Sequence, residues 1–182
     1  MADPQSDSPA QNQRPLIVFV MGVSGCGKST TANYIARTIG AHEKDADDLH
    51  PASNIDKMAS GRALTDADRT PWLEQVAHYA EKASKKHGVC VMACSALKHQ
   101  YRQILNSAGN VVYIFLHGEQ ALISRRVHER SGHFMPETLL SSQFATLEDP
   151  RDEPGVFPVS IDAEPQTIAD EAISLLRQNH YL

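Results

Sequence analysis

Four short apolar runs punctuate the chain: LIVFVM (16–21), VCVMAC (89–94), VVYIFL (111–116) and VFPVSID (156–162). Each is rich in β-branched or aromatic residues, as expected of buried strands. Amphipathic stretches follow them: TTANYIARTIG after the first, SALKHQYRQIL after the second, a segment from Glu119 after the third and a final helix after the fourth. Strand and helix in alternation predict a three-layer α/β/α fold around a parallel sheet. Between Pro71 and Lys86, the residues Trp72, Leu73, Val76, Ala80 and Ala83 recur at helical spacing, with Thr70 as the expected N-cap and Pro71 in the first turn. The last helix has Pro165 near its start and a stripe of Ile168, Ala172, Leu175 and Leu176.

Length and composition narrow the classes. The 182 residues, 41% of them hydrophobic, are enough for one core. A net charge of −5 argues against a surface built for nucleic acid or anionic lipid. No apolar run approaches the roughly 18 residues of a membrane span, and residues 1–14 lack the apolar centre of a signal peptide. They are expected to form a disordered tail ahead of a single domain, 15–182, in the cytoplasm. The cysteines, Cys26, Cys90 and Cys94, are odd in number and form no C-x-x-C pair, which points to core packing rather than a disulfide or a zinc knuckle.

The chemistry begins at GVSGCGKST, which fits G-x-x-x-x-G-K-[ST] between an apolar strand and a helix start. In such a loop, glycines let backbone N–H groups turn toward phosphate oxygens, and the following helix points its positive end at the same anion. The stretch Gly22, Val23, Ser24, Gly25, Cys26, Gly27, Lys28, Ser29 and Thr30 is therefore the candidate ATP site. Lys28 reaches for the β/γ-phosphates and Ser29 for Mg²⁺. A GTPase is disfavoured because NIDK (54–57) has the guanine-reading letters in the wrong order. A larger ATPase is disfavoured because VCVMAC runs into Ser95, which reads as a helix cap, rather than into an aspartate. Instead, DADD (45–48) falls where the second strand should end, and carboxylates at that end of a parallel sheet face the phosphate loop.

Four blocks together carry a family resemblance: GVSGCGKST, DADDLHPASNIDKMASGRALTDADRTPWL (45–73), CSALKHQYR (94–102) and RSGHFMPETLLSSQFATLEDP (130–150). In order and spacing the chain resembles the gluconokinases, within the shikimate-kinase-like and nucleoside-monophosphate-kinase-like group of small P-loop kinases. The resemblance implies Mg²⁺-assisted transfer of a phosphoryl group from ATP to D-gluconate, a lid at about 125–142 and a possible homodimer. It implies that Asp47 receives the attacking hydroxyl's hydrogen bond, and that Asp45 orients Mg²⁺ through water. Ala46 departs from the family's usual D-G-D and excludes a comfortable positive φ there. Arg69 is the expected partner of the substrate carboxylate. Arg102, Lys98, His50, Lys57 and His133 are further substrate-side candidates, Arg126 is expected over adenine, and Arg130 near the transferred phosphate. HERSGH (128–133) has one residue too many for a zinc-binding H-E-x-x-H. A kinase for another small hydroxylated acid such as shikimate, or a nucleotide-binding regulatory module, remains open on the residues alone.

Overall fold

The computed structural model describes residues 14–129 and 137–182. Five strands, β1 (Leu16–Met21), β2 (His42–Asp45), β3 (Val89–Ala93), β4 (Val111–His117) and β5 (Val156–Ser160), form one sheet in the order β2-β3-β1-β4-β5. Every pairing is parallel. The described helices are α1 (Lys28–Ile39), α2 (Ala52–Ala59), α3 (Asp66–His87), α4 (His99–Asn106), α5 (Gln120–Glu129), α6 (Glu137–Thr146) and α7 (Pro165–Gln178). None of them is long and apolar enough to cross a membrane.

β1 lies at the centre with all six residues buried. Its alternate side chains feed two cores. Leu16, Val18 and Val20 pack with Ile35 of α1 and Ala172 of α7 on one face. Ile17, Phe19 and Met21 pack with Trp72 of α3 and Leu105 of α4 on the other. Cys90 and Cys94 both belong to this second face and Cys26 to the first, all as free buried thiols. β2 reads HEKD and is half-buried throughout, which an edge strand tolerates and an apolar-run search does not detect. β5, at the other edge, accommodates Pro158 for the same reason.

Two helix boundaries differ from expectation. α3 begins five residues before Pro71, because Thr65 and Asp68 form a reciprocal capping box: Thr65 Oγ1 accepts from the Asp68 amide while Asp68 accepts from the Thr65 amide. Pro71 therefore sits inside the helix, where its missing N–H leaves the Ala67 carbonyl without its usual intrahelical donor. α4 begins at His99, so Ser95 is not its cap. The His99 amide instead donates to the side chain of Glu148, 2.5 Å away.

Candidate active site

The loop after β1 leaves the sheet beside the two strands that flank it, β3 and β4, where a parallel sheet changes its direction of winding and ligands collect. Val23 and Cys26 are buried in the core and pin the loop from below. Gly25 is required by space as well as by its φ of 81°, since a Cβ there would lie 2.3 Å from Val127 Cγ2 of α5. Gly27 caps α1 with a φ of 98°, and neither a side-chain cap nor an acid occupies the first turn. The helix start thus keeps its amides and positive end for an anion. Lys28 pairs with no carboxylate among the described residues, and its ammonium donates to the Val23 carbonyl at 3.0 Å.

β2 brings Asp45 to this loop, where its Oδ2 accepts from the Ser29 hydroxyl at 2.7 Å. Its Oδ1 accepts from the Asp47 amide at 3.0 Å, capping the 3₁₀ turn Ala46–Leu49. A hydroxyl and a carboxylate oxygen beside an anion cradle form a donor set suited to Mg²⁺, which takes one or two carboxylates and completes its shell with water and phosphate oxygens. Ala46 is fully buried and has no positive φ, so alanine fits the turn that the chain forms. Its carbonyl accepts from Trp72 Nε1 at 2.9 Å.

Asp47 stands in the open cleft with its side chain 79% exposed. The surrounding protein and the Asp45 charge push its pKa up, while Lys28, His50 and Arg69 oppose the rise. His50 stacks on Trp72, with ring centroids 4.0 Å apart and planes 17° from parallel. The buried Asn54 donates from Nδ2 to the Asp68 carbonyl and lies 3.3 Å from His50 Nδ1. Because that nitrogen of Asn54 is a donor, His50 Nδ1 accepts and the ring proton resides on Nε2, 3.8 Å from Asp47 Oδ1. Burial lowers the His50 pKa, partly offset by Asp47, so the ring is neutral at pH 7.

The four expected substrate-side cations separate into three kinds. The Arg69 side chain makes no ion pair or hydrogen bond among the described residues; its guanidinium lies 5.9 Å from the Tyr101 ring centroid, and its charge is felt at Asp47 and His50. Lys57 and Lys98 are each spent on an aspartate: Lys57 on Asp68 at 2.5 Å, and Lys98 on Asp66 at 2.8 Å. Lys98 and Tyr101 hold the Asp66 pKa down at about 2, and Lys57 depresses that of Asp68 well below the usual carboxylate range. Arg102 requires a correction. It is wholly buried and donates to Glu153 at 2.5 and 2.9 Å, to the Ala96 carbonyl at 2.7 Å and to the Glu148 carbonyl at 3.2 Å. No face is left for a substrate, because these acceptors satisfy the guanidinium inside the fold. One of them belongs to Ala96, a non-glycine residue with a φ of 45°, so Arg102 supports the strained backbone beyond β3.

On the other side of the loop a cavity of about 370 Å³ is lined by Gly25, Gly27, Thr30, Arg126, Ala163 and Pro165. Arg126 donates to the Ala163 carbonyl at 3.3 Å, which holds it at the rim. Sequence reasoning missed the Ala163–Pro165 wall; its one signal was that it immediately precedes or opens the last predicted helix. It placed Trp72 on a packed helix face but missed its bond to the Ala46 carbonyl and its stack on His50, and it missed the bonds of Asn54. Arg130 and His133 lie outside the described residues, as does the centre of the expected lid.

Comparison with known proteins agrees with this geometry. The family model of adenylylsulphate kinase matches residues 14–131. A gluconokinase of Gluconobacter oxydans (strain 621H) is 40% identical over 161 residues, covering 88% of this chain and 90% of that protein. The thermosensitive gluconokinase of Escherichia coli (strain K12) is 41% identical over 166 residues, covering 88% and 89%. The crystal structure of a gluconokinase from Sinorhizobium meliloti 1021 superposes with a TM-score of 0.83 at 40% identity, covering 91% of this chain and 93% of that one. Identity at this level over 88% or more of each chain shows that the chain belongs to the gluconokinase family.

Proposed function

We propose that the protein transfers the terminal phosphoryl group of ATP to the terminal hydroxyl of D-gluconate, giving ADP and 6-phospho-D-gluconate in one in-line displacement. Family membership supports this acceptor, and one observation in the cleft favours it. Among the four expected cations Arg69 alone has no anionic partner among the described residues, and its charge is felt at Asp47. A sugar acid supplies both complements, a carboxylate for the guanidinium and a hydroxyl for the aspartate.

The loop amides and the start of α1 hold the polyphosphate, and Lys28 neutralises charge at its outer end. Ser29, and Asp45 through water, would hold Mg²⁺, which would supply positive charge against the charge that develops on the phosphate oxygens. Asp47 accepts the hydrogen bond of the attacking hydroxyl and takes its proton as the new O–P bond forms. His50, neutral and carrying hydrogen on Nε2, donates to a hydroxyl of the sugar acid. Arg126 lies over the adenine in the 370 Å³ cavity. Arg69 fixes the substrate's far end, so that positioning supplies much of the rate. Arg130 and His133 keep their expected places, near the transferred phosphate and on the substrate side, as part of the same proposal.

The test is ADP release by purified protein with Mg²⁺ and ATP over a panel of gluconate, its epimers, shikimate and nucleoside monophosphates. Mass spectrometry should detect a phosphorylated product from gluconate. Gluconate returned unchanged, while another acid is phosphorylated, would refute the choice of substrate.

A further inference from the structure

One block of the sequence, SSQFATLEDP (141–150), acquires a use only in three dimensions. Along α6, Leu140, Phe144 and, just past its end, Leu147 form an inward stripe against the core, and Gln143 interrupts that stripe with a polar side chain. Its Oε1 accepts from the backbone amide of Ser24 at 2.6 Å, a contact between residues 119 apart in sequence. Anchors just past the helix hold the segment in place: the Glu148 amide donates to the Leu97 carbonyl at 2.9 Å, and the Glu148 side chain receives the His99 amide.

The Ser24 amide and the Val23 carbonyl belong to one peptide group, and that carbonyl is the acceptor on which the Lys28 ammonium rests. This peptide is trans, so its N–H and C=O point in opposite directions. Gln143 therefore grips one edge of the peptide and Lys28 the other. If the peptide rotated, the carbonyl would turn away and Lys28 would lose its seat.

We propose that Gln143 is a positioning residue for phosphoryl transfer: by holding the Ser24 amide it keeps the Val23 carbonyl in the orientation that seats Lys28 against the nucleotide's outer phosphates. The inference rests on reading the loop as an ATP site. It does not depend on which acid is the acceptor.

The test is a double-mutant cycle between Gln143 and Lys28, read by ATP affinity without acceptor and by steady-state kinetics. Gln143→Met keeps the length of the side chain and removes the acceptor oxygen. It should weaken ATP binding about 5- to 10-fold and lower kcat by a similar factor, as expected for loss of one well-aligned hydrogen bond. KM for gluconate should change less than about twofold, since the acceptor side is untouched. In the Lys28→Ala background the same substitution should weaken ATP binding less than about twofold, because the seat no longer has an occupant. Gln143→Asn, which withdraws the carboxamide by one methylene, should act in the same direction and serves if the Met variant does not fold. Unchanged ATP affinity in both variants would overturn the proposal. So would a Gln143→Met loss as large without Lys28 as with it, which would mark a general loosening of the loop. Absence of ATP binding by the wild-type chain would instead strike at the proposed function itself.

Discussion

The two walls of the cleft are built on different principles. The nucleotide wall is mostly backbone: amides of a glycine loop and a helix start, held by Val23 and Cys26 below and by α5 pressed against Gly25. The acceptor wall is mostly side chain, and most of its charges are already matched. Lys57 with Asp68 and Lys98 with Asp66 tie the start of α3 to its neighbours, which leaves Arg69 unmatched. A backbone site is specified by spacing, because few sequences can form it. A side-chain site contains decoys, because a cation that binds a ligand and one that braces a helix look alike in a string of letters.

The largest effects should come from the groups nearest the reacting atoms. Asp47→Asn should lower kcat by about 10² to 10⁴, the range for loss of a positioned acid–base group. The raised pKa of Asp47 adds a pH signature. A native-state value above the ordinary 3.8 means that ionisation opposes folding once pH exceeds it, so the stability linked to the protonated form is lost as pH rises through the folded pKa. With the side chain 79% exposed, solvent screens most of that penalty, so the Asn variant should be only slightly more stable than the wild type at neutral pH, with the difference vanishing below about pH 3.8. The acid limb of kcat/KM in the wild type should lie above that same value. A variant that loses activity without gaining stability at neutral pH would contradict this account of the carboxyl.

Lys28→Ala should cost at least about 10² in turnover, comparable to removing one preorganised donor to a developing charge. Near-normal turnover would show that the nucleotide wall does not need the cation of its phosphate loop.

The contrast within the acceptor wall is sharper. Arg69→Ala should raise KM for gluconate about 10- to 100-fold, the scale of one charge-assisted contact, whereas Lys98→Ala should change it less than about threefold. Equal effects from both would mean that the Asp66 pair opens to admit the substrate. Arg102 should act on the fold rather than on the substrate. Arg102→Met leaves two carbonyls without their donor and Glu153 with His99 alone, and should destabilise by about 3 kcal/mol. In a chain of this length that is a fall in Tm of about 6–12 °C. KM for gluconate in the folded fraction should stay near wild type.

The stretch from β1 through α1 was legible residue by residue: strand, phosphate loop and helix occupy the places their letters predict, and Gly27, Lys28 and Ser29 stand where the motif requires. Asp45 and Asp47 were legible as a pair at a strand end. The end of the second strand was expected there and β2 does end at Asp45, but the letters HEKD could not mark its extent, because an edge strand lacks a buried face. Thr65-x-x-Asp68 was a visible capping signal that the conspicuous Pro71 obscured. Arg102 could not be told from Arg69, since Glu153, its partner, lies 51 residues away across the fold.

The order of residues alone was enough to specify the parallel α/β architecture, the anion cradle and the acidic turn that faces it. Each follows from local periodicity or from backbone conformations that few residue types permit. Only the tertiary structure decided which charges are free. It withdrew Arg102 into the core, matched Lys57 and Lys98 to aspartates, left Arg69 open and set Gln143 beneath the peptide that seats Lys28. Those outcomes depend on distances between segments far apart in the chain, and a charge is available to a ligand only when no nearer group has already neutralised it.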